Sequence, residues 1–297
     1  KTGIDVIHLL QQVSDKLRKR EKVAVSGLLG SSKALFLSLL VKEGTGDYCV
    51  LTPNQKKAEE LARDLSFFMK VNHPSPFPLP NNAPLLFPEK EIIPYDGVEP
   101  SPDIIGEQAR ILYSLLKNQN TNILVLSLPA LLSRVMPKEH LSSNTIKIKA
   151  GEPARKGDNE EELYRDDFIR CLIDMGYQQN EPVTGTGEFS IRGGIIDLFT
   201  PYLKNPVRLD FFGDVIETIK EFDIETQLSI NGVNDAIVLP LKPSENIAAV
   251  SILDYLSPDT VWLIDEPEDI MKQAKEYEKK ITEGFEEAKE RDEDILE

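Results

Sequence analysis

Cysteines, long apolar runs and targeting signals are scarce or missing in this sequence. Two cysteines occur in 297 residues, Cys49 and Cys171, and neither has neighbours at the spacing of a zinc site or a disulfide framework. We therefore expect two buried, reduced thiols and no metal site. No apolar stretch approaches the roughly 20 residues that cross a bilayer, and the first residues lack the pattern of a signal peptide. These absences predict a cytoplasmic protein.

Basic residues are few relative to acidic ones. The chain has 34 Lys and Arg residues against 50 Asp and Glu residues, which gives a formal net charge of -16. Nucleic-acid binding needs clustered cations that neutralise phosphates, so this composition argues against a DNA-binding module. The three histidines, His8, His73 and His140, have no catalytic partner pattern around them. No catalytic residue is predicted, and a first residue other than Met leads us to expect a piece of a longer protein.

The first half of the chain alternates between helix and strand patterns. Apolar residues at helical spacing predict helices near 5–18, 31–41, 53–69 and 102–116, and short apolar runs predict strands at 22–26, 48–51 and 122–127. Thr52 is predicted to be the N-cap of the third helix, and the proline-rich run 73–88 is predicted to be a surface connection. The alternation predicts an α/β domain with a parallel sheet.

A different pattern begins near residue 144. Alternating apolar residues predict antiparallel strands, with Gly193-Gly194 as a bulge and Gly213-Asp214 as a two-residue hairpin turn. We predict that residues 1–143 form the first part of the α/β domain, 144–229 an inserted α+β unit, and 230–297 the return segment. Strands at 236–239 and 260–265 are predicted to complete the first sheet. The charged stretch that follows is predicted to be a solvated helix.

Residues 27–34, GLLGSSKA, resemble a phosphate loop, which has the pattern G-x-x-x-x-G-K-[ST] between a strand and a helix. Ser32 replaces the last glycine, and Ala34 replaces the hydroxyl residue that binds magnesium. We interpret the residues that still match as remnants in a tight strand-to-helix turn: Gly27, Gly30 and Lys33. This nucleotide-hydrolase-like domain is therefore predicted to have no ATP or magnesium site.

A second resemblance to nucleotide-hydrolysing enzymes is weaker. The apolar run 261–264 ends in Asp265-Glu266, which resembles the magnesium-binding strand of the same enzymes. Because Pro267 follows, we interpret the two acids as the start of a helix, where the helix dipole favours them.

The stretch GEFSIRGGIIDLF, followed by VRLDFFGDVIETIKEFDIETQ, resembles the UvrB-like module of nucleotide-excision-repair proteins. The segments FPEKEIIPYDGVEPSPDIIGEQARILYSLL and SILDYLSPDTVWLIDEPEDI extend the resemblance over nearly the whole chain. Two families share this module: the ATP-dependent helicase UvrB, which needs an intact phosphate loop, and the bacterial transcription-repair coupling factors, in which the loop has decayed. The sequence is more similar to the N-terminal module of the coupling factors, with domains 1a, 2 and 1b. A fragment of a UvrB-type helicase is the alternative.

The resemblance implies a non-catalytic adaptor that recruits the damage-recognition protein UvrA to stalled RNA polymerase. UvrA is expected to bind residues 144–229 through Arg192 of an F-x-x-R-G motif, with Phe189, Gly193 and Gln178 nearby. A further arginine of UvrB is replaced here by Ser190. The parent protein is expected to be an ATP-dependent DNA translocase that can mask this surface intramolecularly. RNA polymerase, DNA, ATP and magnesium are expected to engage only its downstream domains.

Overall fold

The computed structural model describes residues 6–44, 46–69, 83–90, 95, 100–117, 123–243 and 247–291. His73 and most of the proline-rich run 73–88 lie outside these residues. The helices are α1 (Val6–Arg18), α2 (Ser32–Glu43), α3 (Gln55–Phe68), α4 (Pro102–Leu116), α5 (Leu128–Leu132), α6 (Lys138–Asn144), α7 (Arg165–Asp174) and α8 (Pro267–Glu290). No described helix is long and apolar enough to span a membrane.

The strands fall into a parallel sheet, an antiparallel sheet and a short two-stranded pair. In chain order they are β1 (Tyr48–Thr52), β2 (Leu85–Phe87), β3 (Ile123–Ser127), β4 (Arg134–Val135), β5 (Ile146–Lys149), β6 (Glu152–Lys156), β7 (Glu161–Leu163), β8 (Gln178–Gln179), β9 (Glu188–Arg192), β10 (Ile195–Leu198), β11 (Val207–Phe212), β12 (Val215–Phe222), β13 (Ser229–Val233), β14 (Asp235–Val238), β15 (Val250–Ser251) and β16 (Val261–Ile264).

The parallel sheet has the order β16-β1-β3-β2. Every residue of β1 and β3 is buried, because helices cover both faces and the strands are apolar throughout. The predicted α/β unit with a parallel sheet is thus confirmed, and so is the return of residues 261–264 to it beside β1. Its likeness to nucleotide hydrolases stays a prediction. Both cysteines are free, with Cys49 buried in β1 and Cys171 half-buried in α7.

Three local predictions for this part of the chain are wrong. Residues 22–26 form no strand, although their apolar pattern predicts one. Residues 85–87 of the proline-rich run form the edge strand β2, because Leu85 and Phe87 are buried and an edge strand tolerates neighbouring prolines. The N-cap of α3 is Asn54, whose side chain accepts from Lys57 N at 3.1 Å, while Thr52 is buried and donates to Leu126 O instead.

The antiparallel sheet has the order β14-β5-β6-β12-β11-β10-β9-β8, with β13 beside β12 and β7 beside β6. Helix α7 packs on one face, where Phe168 and Leu172 join the core. The prediction that residues 236–239 complete the parallel sheet is wrong, because β14 pairs with β5 and buries Ala236 and Val238 in this core. The expected boundary at 229 therefore falls at the start of β13, which belongs to the same sheet.

Two glycine-containing turns lie at one end of this sheet. Gly213-Asp214 joins β11 to β12 as a two-residue hairpin, as predicted. Gly193-Gly194 is also a two-residue turn, in which Arg192 pairs with Ile195, so the predicted bulge is wrong. A glycine pair that interrupts a strand pattern can be either a bulge or a hairpin turn. Only the pairing of the flanking residues shows which of the two it is.

The two sheets are joined closely at α4. A Cβ added to Gly106 in this helix would lie 2.7 Å from Pro201 Cβ, so the inserted unit packs directly on the helix backbone. The Tyr113 and Tyr202 rings meet edge to face, with centroids 6.1 Å apart. Helix α8 follows β16 and is mostly exposed, as predicted, with Ile270 and Ala288 as its buried residues.

Candidate protein-docking site

Arg192 ends strand β9 beside the turn Gly193-Gly194. Its side chain is 45% exposed, and its Nε lies 3.0 Å from Oε1 of Glu181, which is 62% exposed. Exposed ion pairs of this kind contribute little to stability because water screens both charges. The guanidinium can therefore exchange Glu181 for a carboxylate or carbonyl of a partner at small cost, and its planar fork suits that contact.

The turn that carries Arg192 is held in place by α7. Gly193 has a φ of 59°, and a Cβ added there would meet no atom within 4 Å, so the turn faces open space. Arg165, the first residue of α7, donates from Nη2 to Gly193 O at 2.5 Å and from its backbone N to Asp214 Oδ1 at 3.0 Å. One residue therefore ties both glycine turns to the helix and keeps this end of the sheet rigid.

Arg192 belongs to a face of the sheet opposite the core. In register, Arg192 pairs with Ile195, which pairs with Asp210, and paired residues point to the same side. Burial alternates along β11, so Phe212 projects to this side too, and it is 80% exposed. We define the outer face by Arg192, Ile195, Asp210 and Phe212. It combines a cation and an aromatic ring, the residue types that dominate protein interfaces.

The other predicted docking residues are placed differently. Phe189 is fully buried in the core, so its side chain supports β9 from the inside and is not available to a partner. Gln178 is exposed in the short strand β8 and pairs with Glu188, at the rim of the sheet. Phe212 is absent from the predicted set, although its place one residue before a glycine turn in an alternating strand signals an exposed tip.

A buried ion pair lies on the same side of the sheet as the outer face, two residues further along the strands. Asp197 is 1% exposed and accepts two hydrogen bonds from Arg208, at 2.7 and 2.8 Å. These hydrogen bonds raise the pKa of Arg208, and its Cζ also lies 4.9 Å from the centre of the Phe222 ring. Ser190 pairs in register with Asp197 and is equally buried. The position at which UvrB has a second arginine is thus an interior one here, and its acidic neighbour is already paired.

Residues 156–243, which include the whole outer face, match the family model of the UvrB interaction domain. This part of the chain is a UvrB interaction domain. The chain is also 30% identical over 261 residues to the transcription-repair-coupling factor of Myxococcus xanthus, across 85% of this chain and 21% of that protein. The factor of Haemophilus influenzae is 31% identical over 216 residues, across 73% and 17%. That of Bacillus subtilis is 28% identical over 236 residues, across 77% and 18%.

The chain thus resembles transcription-repair-coupling factors over most of its own length, but spans only about a fifth of theirs. This similarity confirms the resemblance on which the sequence interpretation rests. The UvrB interaction domain begins at the end of β6 and continues past β14. The antiparallel sheet is slightly larger, because β5 and most of β6 precede the matched residues.

The phosphate-loop remnant lies outside the UvrB interaction domain. Lys33 contacts Asp265 Oδ1, and its Nζ lies 3.0 Å from Glu266 Oε1. Burial alone would lower the pKa of Lys33, but hydrogen bonds to the two acids outweigh it and the net shift is upward. Asp265 and Glu266 therefore bind Lys33, in addition to preceding α8 as predicted. Gly27 and Gly30 have φ values of 85° and 55° in a loop that lacks the predicted preceding strand.

The carboxyl edge of the parallel sheet, where open α/β sheets bind ligands, is occupied by the protein's own groups. Ser127 Oγ donates to Glu89 Oε2 at 2.8 Å, and the Glu89 backbone N donates to Gln55 Oε1 at 3.1 Å. Lys90 donates to Arg134 O at 2.6 Å, and burial lowers its pKa. Among the described residues, no cluster of His, Cys, Asp and Glu could hold a metal ion.

Proposed function

We propose that this chain is the UvrA-docking adaptor of a transcription-repair-coupling factor, and that it recruits UvrA to RNA polymerase stalled at DNA damage. The observation that carries the proposal is the outer face, which lies inside the UvrB interaction domain and presents Arg192 and Phe212 on a rigid end of the sheet. The similarity to transcription-repair-coupling factors supports the same role.

The chemistry of the outer face fits docking better than catalysis. Arg192 offers hydrogen bonds to carboxylates or carbonyls, and Phe212 offers an apolar surface that is desolvated when a partner covers it. Gly193 has no side chain, so a partner backbone can approach between them. Gln178 lies at the rim, where polar contacts mainly exclude water. Each of these groups recognises a surface, and none of them is itself a nucleophile or general base.

Direct titration tests the proposal. Purified UvrA added to the chain in isothermal calorimetry is expected to bind with a Kd of roughly micromolar or tighter, the range of specific protein interfaces of standard size. A matched titration with serum albumin serves as the control for non-specific association. Absence of heat with UvrA at 100 micromolar would count against the adaptor function altogether.

We further propose that the chain is not an enzyme by itself. Lys33 is engaged by Asp265 and Glu266, and Ala34 has no hydroxyl for magnesium. Titration with ATP and magnesium is therefore expected to give no binding tighter than about 1 mM, and no phosphate release. The control is Lys33→Met, which is expected to behave identically. A phosphate release that Lys33→Met abolishes would instead favour the UvrB-type helicase fragment.

The remaining partners belong to the parent protein in this proposal. RNA polymerase and DNA bind to regions outside this chain, and ATP and magnesium serve a translocase motor there. The acidic net charge of -16 supports the assignment of DNA binding elsewhere. Masking of the outer face by another region of the parent would keep UvrA from binding before the polymerase stalls.

A further inference from the structure

Strand β13 is an edge strand of the antiparallel sheet. It pairs with residues 219–222 of β12 on one side, and no described strand pairs with its other side. Residues 229–232 are exposed. The side chains of Leu228 and Ile230 are 68% and 49% exposed. The strand therefore presents an unpaired backbone edge and apolar side chains to the solvent.

Two hydrogen bonds at the end of β12 show in which direction its backbone groups point. Phe222 N donates to Pro206 O on the side of β11, and Asp223 N donates to Leu228 O on the side of β13. Backbone groups alternate in direction along a strand. Glu221 therefore directs its N–H and C=O towards β13.

Gly232 consequently faces the open side of β13. By the same alternation Ile219 points towards β13, where it pairs with Val233, and Glu221 pairs with Asn231. Asn231 and Val233 thus bond to β12, and Gly232 between them points its N–H and C=O away from β12. A Cβ added to Gly232 would meet no atom within 4 Å, so the space beside it is open.

The sequence of β13 lacks the residues that usually block an exposed edge. Proteins commonly protect such edges with lysine, with proline or by making the strand very short. Residues 227–234, QLSINGVN, contain no charged residue and no proline, although 28% of the chain is charged. By contrast, β8 at the far end of the same sheet has two residues. Strand β13 therefore has the chemistry of an edge that accepts another strand.

The surroundings of β13 are acidic, which limits what can bind there. Residues 217–235 contain five acids and one lysine. The acids flank the uncharged run on β12, in the turn before β13 and at the start of β14: Glu217, Glu221, Asp223, Glu225 and Asp235. They repel a second copy of this chain, which has a net charge of -16, and attract an extended peptide with lysine or arginine at its ends.

We propose that the free edge of β13 is a second docking site, which binds an extended basic segment of a partner protein as an added antiparallel strand. The N–H and C=O of Gly232 bond to the main chain of the segment, and its apolar side chains pack beside Ile230. Because β13 pairs with the last residues of β12, the site lies at the end of the sheet opposite the Gly213-Asp214 turn. It is therefore separate from the outer face.

A titration with a synthetic peptide tests the site. The probe is the acetylated and amidated peptide KVTVTVK, which favours an extended backbone and is basic at both ends. NMR of the whole chain is expected to show saturable shifts of the Gly232 and Asn231 amides, with a Kd of about 1 mM or tighter. The acidic peptide EVTVTVE is expected to bind at least about tenfold more weakly, because Asp223 and Asp235 repel it.

Gly232→Pro and Gly232→Ala form a matched pair of variants. Proline removes the outward N–H without breaking a bond to β12, and edge strands tolerate proline where the N–H faces solvent. Alanine keeps the N–H. Gly232→Pro is expected to weaken probe binding about tenfold or more, and Gly232→Ala is expected to bind as the wild type does. Both are expected to bind UvrA unchanged, and a urea melt of each measures its stability.

Hydrogen exchange in the wild type gives a readout that needs no variant. The saturating probe is expected to slow exchange of the Gly232 amide at least about tenfold, because that amide becomes hydrogen-bonded. Unchanged exchange would overturn the proposal, and so would equal probe affinities in the two folded variants or equal binding of the acidic peptide. A wild-type dimer that Gly232→Pro abolishes would assign the edge to a second copy instead. Loss of UvrA binding in folded Gly232→Pro would make the edge part of the UvrA site.

Discussion

Arg192→Glu is expected to weaken UvrA binding by about 2 to 5 kcal/mol, or roughly 30-fold to 5,000-fold in Kd. The substitution removes the hydrogen bonds of the guanidinium and places a second carboxylate beside Glu181, so an acidic or carbonyl-rich partner surface is repelled. Folding is expected to change by no more than about 0.5 kcal/mol, because the ion pair lost is exposed on both sides. Calorimetric titration against UvrA and a urea melt of the same variant measure the two effects.

Arg170→Glu is the matched control for this experiment. Arg170 is 73% exposed and paired with Asp167, but it lies on α7, which covers the opposite face of the sheet. The same charge reversal there is expected to leave UvrA binding unchanged. If Arg192→Glu binds as tightly as Arg170→Glu, UvrA docks on another surface. If Arg192→Glu also loses stability, Arg192 supports the fold and its effect on binding is indirect.

Arg208→Leu is expected to destabilise the chain by about 3 to 5 kcal/mol, because it leaves the carboxylate of Asp197 buried without its partner. Asp197 is 1% exposed, and Arg208 supplies both of its hydrogen bonds from one guanidinium. The expected observation is a lower urea midpoint with an unchanged slope, which indicates a change in stability rather than in the unfolded state.

Two further variants separate the buried charge from the loss of the arginine itself. Arg208→Leu combined with Asp197→Leu is expected to recover most of the lost stability, since an apolar pair can replace a buried ion pair at little cost. Lys147→Met removes an exposed pair with Glu160 and is expected to cost about 0.5 kcal/mol or less. A similar loss in Arg208→Leu and Lys147→Met would mean that water reaches Asp197.

Local patterns were the reliable part of the sequence interpretation. The helices near 5–18 and 102–116, the strands β1 and β3 and the Gly213-Asp214 hairpin follow from periodicity and turn chemistry within a few residues. The N-cap of α3 shows where this reasoning fails. Thr52 and Asn54 both suit a cap, and Asn54 takes the role because Thr52 is drawn into the sheet by Leu126.

Which side chains reach the candidate docking site depends on contacts between residues that are distant in the sequence. Phe189 and Phe212 both lie in strands that lead into glycine turns, yet one is fully buried and the other is 80% exposed. The difference arises from which face of the sheet α7 covers. Sequence alone could propose Arg192 through its motif and could have found Phe212 through its place before a glycine turn, but the support from Arg165 follows from no local pattern.

The amino-acid sequence by itself determined the alternation of helices and strands in the first domain, the acidic character of the chain, the decayed phosphate loop and the UvrB-like motif. These are properties of neighbouring residues, and neighbouring residues suffice to specify them. The tertiary structure alone decided that β14 joins the antiparallel sheet, that residues 22–26 form no strand, and that Lys33 meets Asp265 across 232 residues. Such contacts depend on how the whole core packs, because a strand or a charge takes whichever partner the fold brings within reach.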